Sequence, residues 1–283
     1  MNRIRFFLLG ATFAVAGCSS GTSIPSAQTA NAVGSPVRVA GSIRPTAIGS
    51  GFLLPRGVAV DSSGNVFVAD SGNGAIKKVT PTGTITTIAS GLKLPFGVAV
   101  DSNDDVFVGC TAMRIAPVRE YPPKGPFIRL GKGFYIPEGV SVDAQGVVYV
   151  ADTGNNLAKK IVKGQIMRVG QPLDSPGGIA ADAAHNIYVS DTMANLVKKV
   201  TPNGGITNVG SGFNHPNGLA TDSKGDLFIA DTSHNAVKEV EPNGKIVSIG
   251  SGLSGPYGVA VDSSGNVYVA DTYHNQILRF KAP

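Results

Sequence analysis

The chain is built from short stretches in which apolar and polar side chains alternate. Asn-Val-Tyr-Val-Ala-Asp (266–271), Leu-Val-Lys-Lys-Val (196–200) and Gly-Ile-Thr-Asn-Val-Gly (205–210) are three of them. An alternation with a period of two places every second side chain on the same face of a β-strand. Turn sequences such as Ser-Ser-Gly-Asn and Pro-Asn-Gly separate the stretches. The pattern therefore predicts short antiparallel strands joined by tight hairpins.

The predicted strands recur in a repeated unit. A Pro-x-Gly phrase returns at intervals of 39 to 42 residues, and an Asp follows six positions after each proline. The six prolines are Pro55, Pro95, Pro137, Pro176, Pro216 and Pro256. Each unit has room for four strands, so we expect each to form one antiparallel sheet. Such sheets cannot bury both faces alone and stack around an axis.

The last unit is incomplete, and the missing part lies at the other end of the chain. The sixth copy runs for 28 residues from Pro256 to Pro283 and lacks a fourth strand. Ile-Gly-Ser-Gly-Phe (48–52) matches Val-Gly-Ser-Gly-Phe (209–213), so residues 43–54 can supply that strand and close the ring. The prediction is an all-β, six-bladed β-propeller with four antiparallel strands per blade, spanning residues 43–283.

The repeated phrases resemble NHL repeats. The similarity is carried by Gly-Val-Ala-Val-Asp (258–262), by Gly-Asn-Val-Tyr-Val-Ala-Asp (265–271) and by the Asp-Thr-x-x-Asn phrase that overlaps its end (271–275). All six copies have Pro-x-Gly, and five have the second Asp. The domain also resembles the NHL propeller that forms the extracellular sensor of some bacterial receptor-type Ser/Thr kinases. That likeness covers the propeller alone and carries no expectation of kinase activity.

Composition agrees with a β-rich fold and excludes two other classes. Gly 37 and Pro 18 in 283 residues, with only 15% charged residues, exclude a coiled coil or helical bundle. A hydrophobic content of 42% and a net charge of +5 exclude a disordered chain. The two cysteines cannot form a disulfide-rich scaffold.

Residues 1–18 are typical of a secretory signal. Arg3 and Arg5 precede an apolar run of 11 residues (6–16), which is too short to form a stable membrane-spanning helix. Val-Ala-Gly-Cys (15–18) resembles a bacterial lipobox, whose cysteine becomes the lipidated first residue. We therefore expect acylation of Cys18. Residues 19–42, rich in Ser, Gly, Ala and Thr, are expected to tether the propeller to the membrane.

The signal sets the expected location and limits the expected partners. We expect a lipid-anchored protein of the cell envelope that faces the periplasm or the exterior. Ser19, in place of Asp, resembles the outer-membrane sorting pattern of cells with two membranes. Removal of Arg3 and Arg5 lowers the net charge from +5 to +3, so no nucleic-acid partner is expected. The expected partner of this monomer is a protein, a peptide or a cell-envelope glycan.

The repeated residues fit structural roles. Gly57 and its counterparts open the innermost strands, where the blades converge and no side chain fits. Asp70 and its four counterparts are expected to accept backbone N–H bonds within the turn that follows the second strand. A catalytic carboxylate is needed once or twice, whereas this one occurs in five copies.

Binding specificity should lie where the copies differ. The x of Pro-x-Gly, expected at the mouth of the central channel, is Arg56, Phe96, Glu138, Gly177, Asn217 and Tyr257. A guanidinium, a carboxylate, an amide and two aromatic rings are the mixture that a small-ligand site uses. The alternative is drift at a solvent-facing loop position. We assign ligand binding to Arg56, Phe96, Glu138, Asn217 and Tyr257, and expect no cofactor, no catalytic residue and no metal ligand.

Three functions remain open. The first is a binding module that uses one propeller face. The second is a metal-dependent enzyme, since related six-bladed propellers include virginiamycin B lyase and calcium-dependent lactonases. That resemblance implies a site at the central channel, in which Glu138 and Asn217 could take part. The third is an envelope spacer or assembly partner.

Cys18→Ser is expected to abolish acylation, because the thiol is the lipid acceptor, and to release the protein from membranes. Metabolic labelling with radioactive palmitate and membrane fractionation measure both effects. Continued lipid labelling of the variant would contradict the predicted anchor.

Overall fold

The computed structural model describes residues 44–111 and 118–282 and contains six four-stranded antiparallel sheets. We call each sheet a blade. Within a blade the strands are ordered from the central channel outwards. Blades 1 to 3 are formed by β2 (Pro55–Val60), β3 (Val66–Asp70), β4 (Ala75–Val79), β5 (Ile85–Ala89); β6 (Pro95–Val100), β7 (Val106–Cys110), β8 (Val118–Tyr121), β9 (Ile128–Leu130); β10 (Pro137–Val142), β11 (Val148–Asp152), β12 (Leu157–Val162) and β13 (Gln165–Val169). Blades 4 to 6 are formed by β14 (Pro176–Ala181), β15 (Ile187–Asp191), β16 (Leu196–Val200), β17 (Ile206–Asn208); β18 (Pro216–Thr221), β19 (Leu227–Asp231), β20 (Ala236–Val240), β21 (Ile246–Ile249); β22 (Pro256–Val261), β23 (Val267–Asp271), β24 (Gln276–Phe280) and β1 (Thr46–Ala47).

The predicted closure of the ring is confirmed. β1 pairs with β24, with Thr46 opposite Arg279 and Ala47 opposite Leu278. The innermost strand β2 contacts β6 on one side and β22 on the other, so the first blade lies beside the last. Phe52 follows β1 and is buried in an apolar cluster with side chains of blades 1 and 6. The N-terminal strand therefore completes blade 6, and the six-bladed propeller is established.

Close approach of the innermost strands fixes the axis of the ring. A Cβ atom on the Gly of any Pro-x-Gly phrase would lie within 2.6 Å of a backbone carbonyl oxygen of the next blade, which no side chain tolerates. These six residues are Gly57, Gly97, Gly139, Gly178, Gly218 and Gly258. The pairing of the first two strands also shifts register between the proline and the residue three positions later in all six blades. This β-bulge re-aims the variable residue of each phrase.

The core lies between the blades. Six apolar clusters of buried side chains each combine residues of two neighbouring blades. Val68 and Val150, in the middle of second strands, are fully buried. The outermost strand of blade 1, by contrast, is largely exposed. Each blade therefore covers the face that its neighbour leaves open, as stacked repeat units require.

The propeller has two distinct faces. Hairpin turns after the innermost strands lie on one of them, which we call the turn face; there Asp61 Oδ1 accepts the N–H groups of Ser63 at 2.9 Å and Asn65 at 2.8 Å. The linkers between blades, each ending at a Pro-x-Gly phrase, lie on the other face together with the turns after the second strands. We call it the linker face.

Helical structure in the described ranges consists of single 3₁₀ turns, at Ser71–Asn73, Thr153–Asn155, Thr232–His234 and Thr272–His274. No helix among these residues has the length and apolar character needed to cross a membrane. The predicted signal (1–18), the predicted acylation site Cys18 and the predicted tether (19–42) lie outside the described residues, as do residues 112–117.

Deletion of residues 43–54 is expected to lower the melting temperature by about ten degrees or more. A shift of this size corresponds to a loss of several kcal/mol in the free energy of unfolding. The deletion unpairs β24 and removes Phe52 from its cluster. Phe52→Ala alone should destabilise the protein by about 3–5 kcal/mol in urea denaturation. An unchanged melting temperature for the deletion would contradict the closure.

Candidate functional site

The repeated aspartates hold the linkers in place. The second strands of five blades end in Asp70, Asp152, Asp191, Asp231 and Asp271, all of them buried. The expectation that they bond backbone within the following turn is wrong: Oδ1 of each accepts an N–H from the linker that enters the same blade, 17 residues earlier. Leu53 N, for example, lies 2.7 Å from Asp70 Oδ1. The cause is strand pairing, which sets Asp70 opposite Pro55 at the end of that linker.

The remaining residues of Asp-Thr-x-x-Asn connect each blade to the next. Thr272 Oγ1 donates to the carbonyl oxygen of Pro55 at 2.7 Å, and Thr192 Oγ1 makes the same bond to Pro216. Asn275 Oδ1 accepts from Leu54 N at 2.7 Å. The motif thus joins its own linker, the next linker and the next innermost strand by side-chain hydrogen bonds.

These bonds hold an unusual backbone conformation. The residue before each of the six prolines has a φ between 46° and 54°, in the left-handed region. They are Leu54, Leu94, Ile136, Ser175, His215 and Gly255. Residues other than glycine are disfavoured in this region by about 1–3 kcal/mol each, and they adopt it only where the surrounding structure holds them there. The Asp clamp supports this conformation at five of the six linkers, and the Asn clamp supports it at four of those five.

The second carboxylate oxygen of each repeated Asp has a partner as well. Lys77 Nζ lies 2.6 Å from Asp70 Oδ2, and Lys198 Nζ lies 2.6 Å from Asp191 Oδ2. In blades 5 and 6 a histidine Nδ1 takes this place at 2.8 Å, from His234 and His274. These carboxylates are saturated by the fold, which supports their structural interpretation.

Blade 2 lacks both clamps at its own linker. Cys110 replaces the Asp, and in blade 1 Gly74 stands where blades 3 to 6 have the Asn. Cys110 is buried in an apolar cluster with Phe67 and Val98, and burial raises the pKa of its thiol, although Arg119 opposes the shift. Cys110 therefore fills an apolar site and does not clamp the linker.

Three of the predicted binding residues meet at the mouth of the channel. The Arg56 guanidinium carbon lies 4.4 Å from the ring centre of Phe96 and 4.8 Å from that of Tyr257. The two rings meet edge to face, with their centres 5.6 Å apart. Phe96 is buried, whereas Arg56 and Tyr257 remain half-buried at the surface. We call these three residues the mouth cluster.

The other two predicted residues take different roles. Glu138 is half-buried and forms no salt bridge with Arg56. Burial raises the pKa of its carboxyl to about 7, and the nearby Arg56 charge opposes part of that shift. Asn217 is buried, and its Nδ2 donates to Thr232 Oγ1 at 2.9 Å and to the His215 carbonyl at 3.1 Å. The Asn217 side chain fills the space over Gly177, which has none. The Asn217 side chain therefore has a structural role in the fold.

The donors at the mouth do not make a set for a hard cation. Glu138 offers one carboxylate, and the Asn217 amide is held by its own hydrogen bonds. Within residues 44–111 and 118–282, no three His, Cys, Asp or Glu side chains come together as metal ligands would. The free volume inside the mouth is about 60 Å³, and about 220 Å³ lies at the other end of the channel, between small side chains of the innermost strands.

The repeat pattern did not indicate several exposed apolar residues of the linker face. Leu53, Leu54 and Leu94 lie in linkers on the linker face and expose 43%, 38% and 49% of their surface. Met193 and Tyr273, in turns on the same face, expose 54% and 60%. The linkers of blades 1 to 3 have Leu or Ile before proline, whereas those of blades 4 to 6 have Ser, His or Gly. That difference between the two halves of the ring is the sequence feature that could have indicated an apolar surface on the linker face.

Comparison with known proteins supports the fold. The NHL repeat model matches residues 52–79, 134–157, 213–239 and 253–280, so the chain carries NHL repeats in blades 1, 3, 5 and 6. No curated protein matches the sequence.

Solved structures with a similar fold have diverse functions. Virginiamycin B lyase from Staphylococcus aureus is 16% identical, with a TM-score of 0.60 over 81% of this chain and 84% of that chain. A gluconolactonase from Xanthomonas campestris is 14% identical, with a TM-score of 0.68 over 82% and 87%. A chain of a nidogen–laminin complex is 20% identical, with a TM-score of 0.64 over 73% and 84%. At these identities the likeness establishes the fold alone.

Glu138→Gln is expected to raise the melting temperature at pH 8 and to leave it nearly unchanged at pH 5. The folded protein holds a proton on Glu138 up to about pH 7, whereas the unfolded chain loses it near 4.5, so this group lowers stability as the pH rises between those values. Melting curves of both proteins from pH 4 to 8 measure the effect. Parallel curves would contradict the raised pKa.

Proposed function

We propose that this NHL-repeat propeller is a non-catalytic binding module of the cell envelope, anchored by a lipid on Cys18. In this proposal its linker face binds a protein, peptide or glycan partner. The resemblance to the sensor propellers of receptor-type kinases implies the same kind of use. The nidogen–laminin neighbour comes from a structure of a protein complex, which is compatible with that use.

The mouth cluster carries the proposal. An Arg between two aromatic rings is rigid, because each ring attracts the guanidinium through its negative face. Arg, Tyr and Trp are the residues that dominate binding energy in interfaces, and they do so near the centre of the contact. Arg56 and Tyr257 stand at the centre of the linker face. A partner would find a preorganised anchor there.

The apolar residues around the cluster support a broad contact. Leu54 and Leu94 lie in the linkers on either side of blade 1, and Tyr273 lies in the turn of blade 6 against Gly255. Exposed apolar side chains that group into a patch are typical of interaction surfaces. The small free volume of the mouth favours a ligand that lies across the face over one that enters the channel.

An enzyme is the second candidate, and one observation favours it. A carboxyl that titrates near pH 7, as Glu138 does, is suited to proton transfer at neutral pH. The donor set at the mouth does not support a metal-centred version of this function. Metal content of the purified protein, with a melting curve before and after chelation, tests that version: a stoichiometric ion whose removal lowers the melting temperature would favour the enzyme.

The double variant Arg56→Ala/Tyr257→Ala tests the binding module. Partners are captured from envelope fractions with the wild-type chain, identified, and their affinities measured by titration. We expect the double variant to weaken binding by at least about tenfold, as truncation of hot-spot residues does. Lys224→Ala, an exposed position on the turn face, is the control and should bind as the wild type does.

Each outcome has a distinct meaning. Equal affinity of wild type and double variant would overturn the proposed binding face. If substitutions on outer strands disrupted a complex while the double variant left it intact, the propeller would be an envelope spacer or assembly partner.

A further inference from the structure

A cavity of about 450 Å³ lies between blades 3 and 4, on the turn face and far from the mouth cluster. Small-ligand sites occupy about 300–1,000 Å³. Blade 3 contributes Tyr149, Lys160 and Arg168 to its lining, and blade 4 contributes His185 and the apolar Ile187. The cavity therefore has the size of a ligand site, with cationic and apolar walls.

Lys160 differs from the lysines at the same strand position in other blades. Lys78 Nζ lies 5.1 Å above the ring of Phe67, and Lys199 Nζ lies 5.4 Å above that of Tyr188. Lys160 pairs across the strands with Tyr149 in the same way, yet it makes no ring contact, hydrogen bond or salt bridge within the described residues. Lys160 is half-buried and lines the cavity, and its ammonium group has no partner among the described residues.

His185 occupies a position that the repeat otherwise reserves mainly for glycine. Four of the five equivalent residues are glycines with φ between 75° and 86°, and the fifth is Asp104. His185 adopts a φ of 60°, a conformation that a side chain makes less favourable. Its Nδ1 lies 3.6 Å from Asp143 Oδ2 of the neighbouring blade, beside the cavity. A disfavoured residue that reaches across a blade junction to a cavity indicates a specific use.

The charges at the cavity favour an anion. Asp143 is the acid in the lining, and its oxygens are already occupied: Oδ1 accepts the N–H groups of Gln145 and Val147, and Oδ2 accepts the Tyr149 hydroxyl at 3.0 Å. Burial, followed by this hydrogen bond, raises the pKa of Tyr149, so its hydroxyl stays protonated. Lys160 and Arg168 then leave an excess of positive charge.

We propose that this cavity binds a small hydroxylated organic anion, such as a sugar phosphate or a sugar acid. Lys160 pairs with the anionic group, supported by Arg168, whose Nε is anchored on the Gly170 carbonyl at 3.1 Å. The Gln145 amide serves hydroxyl groups, and Ile187 contacts the carbon skeleton. The site is separate from the linker face, so this proposal does not depend on the proposed function.

Calorimetric titration of the full chain tests the site with four probes: glucose 6-phosphate, glucuronate, inorganic phosphate and glucose. We expect glucose 6-phosphate or glucuronate to bind in the millimolar range or tighter, and glucose to bind at least about tenfold more weakly, because it lacks the charge. The stronger of the two anions identifies the source of the charge. If inorganic phosphate bound and neither organic anion did, the proposal of an organic ligand would be overturned.

Lys160→Gln is expected to weaken binding by about tenfold or more, since it removes a charge-assisted hydrogen bond. Lys199→Gln is the matched control at the same position of blade 4, where the lysine stacks on Tyr188, and should change affinity less than about twofold. His185→Gly restores the residue common in the repeat and should weaken binding without lowering the melting temperature. Equal binding by Lys160→Gln and wild type, or no binding of any anion, would overturn the proposal.

Discussion

The contact between neighbouring innermost strands at the axis is the constraint on which the structure depends. At Gly57 and Gly258, as at the other glycines of this ring, the backbone of the next blade occupies the space of a side chain. Six blades can converge only because these positions have no Cβ atom. The channel mouth is therefore narrow, and the residue before each glycine is displayed around it. The mouth cluster of Arg56, Phe96 and Tyr257 is a direct consequence of this packing.

The linkers between blades are held by polar side chains, because the apolar core ends where the blades turn. Asp70 and Asn275 clamp two consecutive N–H groups of one linker, at Leu53 and Leu54. The strain of the left-handed residue before proline is offset by these bonds. The linker of blade 2 lacks both clamps; Thr111 N donates to the Leu94 carbonyl at 3.2 Å, and the Ser71 hydroxyl donates to the Pro95 carbonyl. The repeated polar residues are thus committed to the fold, and only varied positions are free for binding.

Two such varied regions have different chemistry. The linker face combines an immobilised guanidinium with exposed leucines around a mouth too small for most ligands, which suits contact with a larger partner. The cavity between blades 3 and 4 is ligand-sized and has an unpaired ammonium group at Lys160. A propeller offers both kinds of site because the loops at its two ends vary independently of the blades.

The sequence alone determined the number of blades, the strand order, the closure by residues 43–54 and the ring of Arg56, Phe96, Glu138, Asn217 and Tyr257. Those features follow from a repeat of about 40 residues, and a repeat is visible without coordinates. Only the tertiary structure decided that Asp70 bonds the linker, that Asn217 is used by the fold, that burial shifts Glu138, and that Lys160 is unpaired while Lys199 is not. Each of these depends on how side chains of different strands or blades pack against one another, and that packing is not encoded in the period of the chain.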